Sequence, residues 1–213
     1  MRTYCLAVIL VIATGLIGCD STGGTVGGLF PAPKLLKGNV TGDFYTSPDH
    51  AFQIQIPYPP SRDDYQWKYA KVTEGSDGDY TTWVIFGPAA TDLAEYHAVL
   101  IKTPVLESLK NQADIVLASQ SKIFTTRTGE SPVQISYKAI TINGKPGVYA
   151  AYENSKAYLV EFIVDHGSRF AHFEIAIPRR IPGSEYDQEL RNALMVRKWE
   201  RVNDFVNSFK VIP

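Results

Sequence analysis

Residues 132–178 read PVQISYKAITINGKPGVYAAYENSKAYLVEFIVDHGSRFAHFEIAIP, and this stretch decides the fold. Four runs rich in Val, Ile, Tyr and Phe, namely VQISYKAITI, VYAAYE, AYLVEFIVD and FAHFEIAIP, are separated by NGKPG, NSK and HGSR. β-branched and aromatic residues favour strands, and short polar breaks between them favour tight turns. Asn143-Gly144 is the strongest signal, because a two-residue hairpin loop needs positive φ at both positions. The stretch therefore predicts consecutive antiparallel strands. Leu159 to Val164 is apolar at nearly every position, which predicts cover on both faces of the sheet.

Upstream, Ser47-Pro48-Asp49 reads as a turn, and Phe52, Ile54 and Ile56 alternate with glutamine as a half-buried strand. QWKYAKVTE and YTTWVIFG, split by GSDGD, read as a strand pair, and EYHAVLIKT as another strand. Thr103-Pro104 has the form of a helix start, with Leu106, Leu109, Ala113, Val116 and Leu117 recurring at helical spacing to about Phe124. Ser184-Glu185-Tyr186-Asp187 fits a capping box before a final helix that carries Leu190, Leu194, Trp199, Val202, Phe205, Val206 and Phe209. Strands, helix, strands, helix define an α+β class, an antiparallel sheet of about six to eight strands covered by helices.

Together these features resemble the PsbP/Mog1-like fold, an α/β/α sandwich. The residues that carry the likeness are Tyr45-Thr46-Ser47-Pro48-Asp49-His50-Ala51-Phe52-Gln53-Ile54-Gln55-Ile56-Pro57, Ile142-Asn143-Gly144-Lys145-Pro146-Gly147, and Ser208-Phe209-Lys210-Val211 at the close of the last helix. The resemblance covers residues 43–213 and implies a non-catalytic binding or assembly factor. It transfers no functional residue.

The front of the chain carries an address. Arg2 precedes an uncharged apolar run, Leu6 to Ile17, too short to span a bilayer and of the length of a signal-peptide core. Leu16-Ile17-Gly18-Cys19 resembles the lipobox of bacterial lipoproteins. That resemblance implies cleavage after Gly18, a diacylglyceryl group on the Cys19 thiol and an acylated amino terminus. Asp20 resembles an inner-membrane retention signal. The organisation read from the sequence is a signal peptide over 1–18, lipidated Cys19 with a Gly/Pro tether over 19–42, and one α+β domain over 43–213. The protein is then expected on the extracytoplasmic, periplasmic face of a cell membrane, held by lipid. A glycine-rich tether of about 20 residues spans ~25 Å on average.

Composition narrows the chemistry. With 21 Lys+Arg against 22 Asp+Glu, the chain has no basic excess that would mark a nucleic-acid partner. The two cysteines are Cys5 and Cys19, so a domain over 43–213 has no disulfide, thiolate nucleophile or cysteine-bound metal. Asp165-His166-Gly167-Ser168 holds the residue types of a triad, but neighbours in one turn do not relay a proton among themselves, and no G-x-S-x-G elbow is present. His172 and Glu174 share a strand face, with His166 across the turn, yet a metal site asks for three or four ligands. Asp63-Asp64 and Asp77/Asp79 read as solvated loop carboxylates. No catalytic residue, metal or cofactor is assigned.

Tyr58, Tyr65, Trp67 and Tyr69 concentrate rings beside prolines and are the candidate partner-binding residues, since tyrosine and tryptophan dominate interface hot spots. Arg179, Arg180, Arg197, Lys198 and Arg201 offer a basic group for anionic lipid, but Glu185, Asp187, Glu189, Glu200 and Asp204 are interspersed with them, so the reading is an ordinary solvated surface. The expectation is a binding or accessory module for an envelope partner. A carrier of a small apolar ligand and a hydrolase with a site assembled only in three dimensions are the alternatives.

Overall fold

The computed structural model describes residues 34–90, 93–104 and 108–213. The signal segment, Cys19 and Asp20 lie outside the described residues, as does Leu106. The class is α+β. Strands β1 (Asn39–Thr41), β2 (Phe44–Thr46) and β3 (Phe52–Gln55) are followed by helix α1 (Asp64–Tyr69) and strands β4 (Val72–Ser76), β5 (Thr81–Phe86) and β6 (Glu95–Ile101). Then come α2 (Leu109–Thr128), β7 (Val133–Ile142), β8 (Lys145–Glu153), β9 (Ala157–Asp165), β10 (Phe170–Pro178), α3 (Glu185–Met195), α4 (Glu200–Asn207) and β11 (Lys210–Val211).

A seven-stranded antiparallel sheet has the order β4-β5-β6-β10-β9-β8-β7. The chain leaves β6, crosses one face as α2, and returns from the far edge through the β7–β10 meander to pair with β6. Asn143 and Gly144 take φ of 50° and 76° and close the β7–β8 hairpin with Ile142 opposite Lys145. A second sheet, β1-β2-β3-β11, has no counterpart among the expectations, and its strand β1 falls within the stretch assigned to the tether. Gly38 donates its amide to Glu74 of β4 at 3.0 Å, which ties this sheet to the larger one.

Both faces of the large sheet are covered. One face packs on Ala113, Val116, Leu117 and Phe124 of α2 through Val99, Val148, Ala150, Leu159, Ile163 and Phe170. The other packs on α3, α4 and the small sheet through Tyr96, Tyr149, Val160, Phe162, Phe173 and Ile175. Phe205 of α4 meets Phe86, Tyr96 and Phe173 edge-on, with centroids 6.2, 5.5 and 6.1 Å away. Phe209 stacks on Phe52 at 5.1 Å and joins the two sheets. Both core layers, with the partly buried residues packed on them, are built between Val40 and Val211.

Three local expectations are corrected. The stretch from Gln66 into Tyr69 is helical, because Pro59 O accepts the Arg62 and Asp63 amides and the Asp63 carboxylate accepts the Gln66 amide at 3.1 Å, nucleating α1. Only from Val72 is the chain a strand. Helix α2 starts at Leu109 with Ser108 as N-cap, while Thr103 donates its hydroxyl to Asp79 O at 2.9 Å and stays in the preceding loop. The final helix is two helices, broken at Arg197, whose φ is +58°. Ser184 does cap α3, accepting the Asp187 amide at 3.2 Å, but the Asp187 carboxylate returns to the Gly183 amide and to Arg179 instead of to Ser184.

Truncating a ring that three others surround leaves a cavity that rigid strands cannot close. Phe205→Ala is therefore expected to lower the unfolding free energy by about 3–5 kcal/mol, read from the urea midpoint at constant m-value. A loss below about 1 kcal/mol would mean that α4 is not integral to the core.

Candidate functional site

Two groups of residues stand out, one sealed beneath α2 and one open at a pole of the large sheet.

The sealed group is a row of ionisable side chains across three strands. Glu174 of β10 lies opposite His97 of β6 on one side and opposite Glu161 of β9 on the other. His172 sits two residues before Glu174 on the same face. The sequence placed His172 and Glu174 on one strand face, and both are buried there. His166, the proposed third ligand, packs against Phe209 on the other face, at 5.7 Å. His172 Nε2 and Glu161 Oε2 are 2.5 Å apart. His97 lies 3.4 Å from Glu174 and 3.3 Å from Glu95, and Arg127 of α2 closes over Glu174 at 3.4 Å.

Burial sets the protonation of this row. Glu161 is fully enclosed, and desolvation, with the neighbouring Glu174 charge adding to it, raises its carboxyl well above the ordinary 4.5. Desolvation lowers the enclosed His172 to about 4. The pair thus sits neutral near pH 7, the carboxylic acid donating to Nε2, while Glu161 Oε1 and His172 Nδ1 have no hydrogen-bond partner. Among the described residues no three of these side chains converge on a point that could hold a metal ion. Glu161, His97 and Arg127 were missed in the sequence. Period-two counting along AYLVEFIVD puts Glu161 among Leu159 and Ile163, but only the strand register shows that it meets Glu174.

The open group is a cleft of about 590 Å³ at the end of the sheet where β6 begins and β10 ends. Tyr58, Gln66 and Leu190 lie within it, and Leu93, Ile181 and Tyr186 stand exposed at its edge. One wall is a fixed clamp. Arg179 donates from Nε to Asp187 Oδ1 at 2.9 Å and from Nη1 to Asn154 O at 2.9 Å, and its guanidinium lies 4.9 Å from the Tyr158 ring centroid. The Tyr158 hydroxyl donates to Asp187 at 2.9 Å. The Arg179 hydrogen bond pulls the Asp187 carboxyl down to about 2, so the clamp stays charged across the physiological range. Arg180, Arg201 and Trp199 line the cleft as well.

The four candidate rings separate. Tyr58 is buried, edge-on to Tyr96 at 6.4 Å. Trp67 is half-buried against the core, with Lys34 Nζ 3.4 Å from its ring centroid; burial lowers that lysine to about 8. Tyr65 and Tyr69, one helical turn apart, are exposed with centroids 4.9 Å apart. Asp63 and Gln66, from the same turn of chain, line the cleft, so the tyrosine pair flanks it. A second cleft of about 510 Å³ lies at the opposite pole around Asn143, His166 and Lys210.

No protein-family model matches this chain, and no curated protein matches it. Among solved structures, the chain is similar to a crystal structure from Bacteroides thetaiotaomicron VPI-5482 at 1.50 Å resolution. The TM-score is 0.42 and the identity 11% over 82% of this chain, which spans half the length of that protein. Among the described residues, no helix is long and apolar enough to cross a membrane.

The buried pair gives opposed pH dependences. His172, lowered from 6.5 to about 4, contributes stability that is complete above pH 6.5 and lost as pH falls toward 4. Glu161, raised from 4.5, contributes stability that is complete below pH 4.5 and declines as pH rises toward its elevated value. Above pH 6.5 only the Glu161 slope remains. Relative to Glu161→Gln, which keeps the shape and cannot ionise, the wild type is expected to lose stability as pH rises above 6.5 toward the raised value of Glu161. Urea midpoints across that range check the sign; a constant or growing wild-type advantage contradicts a protonated Glu161.

Proposed function

We propose that this chain is a lipid-anchored extracytoplasmic lipoprotein of the PsbP/Mog1-like kind. It acts as a non-catalytic binding or accessory module for a membrane or envelope complex, with the cleft beside α1 as its contact site. The observation that carries the reading is the lipobox Leu16-Ile17-Gly18-Cys19, set ahead of a domain whose first described residue, Lys34, packs on Trp67 at the cleft's flank. Asp20 favours the inner membrane.

The arrangement suits recognition. The Arg179–Asp187–Tyr158 clamp is internally neutralised and rigid, so it shapes a wall without offering a free acid or base. The exposed rings and aliphatic side chains at the edge supply contact area with little rotamer entropy to lose. Tethering to the bilayer raises the local concentration of the module near membrane-bound targets, so modest intrinsic affinity suffices.

A photo-crosslinking residue placed at Leu93 in the native envelope is expected to yield a discrete protein adduct that the same residue at Tyr80, near the other end of β6, does not yield. Absence of any Leu93 adduct, or identical adducts from both positions, contradicts the assignment of this cleft.

A further inference from the structure

Ten large hydrophobic side chains are exposed among the described residues, and they are not scattered. Six of them, Leu35, Tyr65, Tyr69, Leu93, Ile181 and Tyr186, belong to the pole that holds the cleft or to its α1 flank. Ile181 and Tyr186 are 69% and 68% exposed in the loop and first turn that lead into α3. Single exposed apolar residues are ordinary on a soluble surface; several gathered at one end mark an interaction surface. Three of the six are tyrosines, whose apolar ring and polar tip suit a boundary between water and hydrocarbon.

The same pole is where the chain departs toward its anchor. Lys34 lies against Trp67 of α1, fifteen residues on from Cys19. Fifteen residues reach at most about 50 Å even when fully extended. A lipid on Cys19 would thus attach to the domain from the side of α1 and the cleft.

We infer that this pole is a bilayer-contact surface: Ile181, Tyr186 and Leu93, with Tyr65 and Tyr69 beside them, seat in the headgroup region and turn the cleft toward membrane-bound ligands. The inference rests on the lipid-anchor reading for its orientation, but the surface itself is a property of the folded domain. Cations and carboxylates alternate around the cleft, with Arg179, Arg180 and Arg201 beside Asp63 and Asp187. Attachment by this face is accordingly interfacial burial of apolar area and not attraction to anionic lipid.

The test uses a chain beginning at Asp20, which retains every core residue and carries neither signal nor lipid. It is floated with vesicles of phosphatidylcholine alone and of phosphatidylcholine with phosphatidylglycerol. The chain is expected to partition onto both, with less than about a twofold change as salt is raised, because screening acts on charges and not on apolar burial. Ile181→Asp/Tyr186→Asp is expected to weaken partitioning by about tenfold or more, while Tyr80→Asp, near the opposite pole, leaves it unchanged.

Circular dichroism and urea midpoints confirm that each variant folds; should the double variant not fold, Leu93→Asp takes its place. No partitioning of the wild type overturns the proposal, as does equal loss from Tyr80→Asp. Release of a dimer by the double variant in the absence of vesicles also overturns it, since the patch would then be a self-interface. Because the tested chain has no acyl group, failure here leaves anchoring at Cys19 standing, and failure of acylation leaves this result standing.

Discussion

Strands β8, β9 and β10 are enclosed on both faces over most of their length, and the rest of the molecule exists to provide that enclosure. A side chain of Leu or Phe size gains about 1.5–3 kcal/mol on full burial, and the period-two alternation sends such side chains to both sides of the sheet. One cover is α2, which also makes the crossover from β6 to β7. The other is composite, from α3, α4 and the small sheet, joined through Phe205 and Phe209. Cys5 and Cys19 are the only cysteines in the chain, so this packing carries the stability of the domain without covalent help.

The α2 cover is the less apolar of the two. Gln112 and Gln120 are buried on the helix, and Glu161, His172, Glu174 and His97 are buried on the strands beneath it. Keeping Glu161 and His172 neutral avoids the cost of burying two charges, at the expense of one unpartnered acceptor and one unpartnered donor. Arg127 lies 3.4 Å from the buried Glu174 and 3.8 Å from Glu95, the more exposed carboxylate at the end of the row. The row is a property of the interior, walled off by α2. The two clefts lie at the poles of the large sheet, away from this row.

The meander was legible because its signals are local. Asn143-Gly144 dictates a hairpin whatever surrounds it, and the unbroken apolar run Leu159 to Val164 reports two-sided burial directly. What escaped were outcomes decided by neighbours. The Asp63 cap made α1 out of a segment whose residues equally suit a strand. Arg197, unremarkable in sequence, turns left-handed and divides the final helix, so that Trp199 reaches the cleft. Of the four rings proposed for binding, the sequence had no means of separating Tyr58, buried edge-on to Tyr96, from Tyr65 and Tyr69, left exposed on α1. The cleft itself joins residues more than a hundred positions apart, Gln66 with Leu190, and no local pattern announces it.

The proposed position of the protein turns on one atom, the Cys19 sulfur, whose acylation is the step proposed to hold the module at the bilayer. Growth with an alkyne-tagged fatty acid, followed by mass spectrometry of the mature amino-terminal peptide, addresses this directly. The account predicts a tagged diacylglyceryl modification on a polypeptide that begins at Cys19. An untagged protein, or a mature chain starting at any other residue, contradicts it.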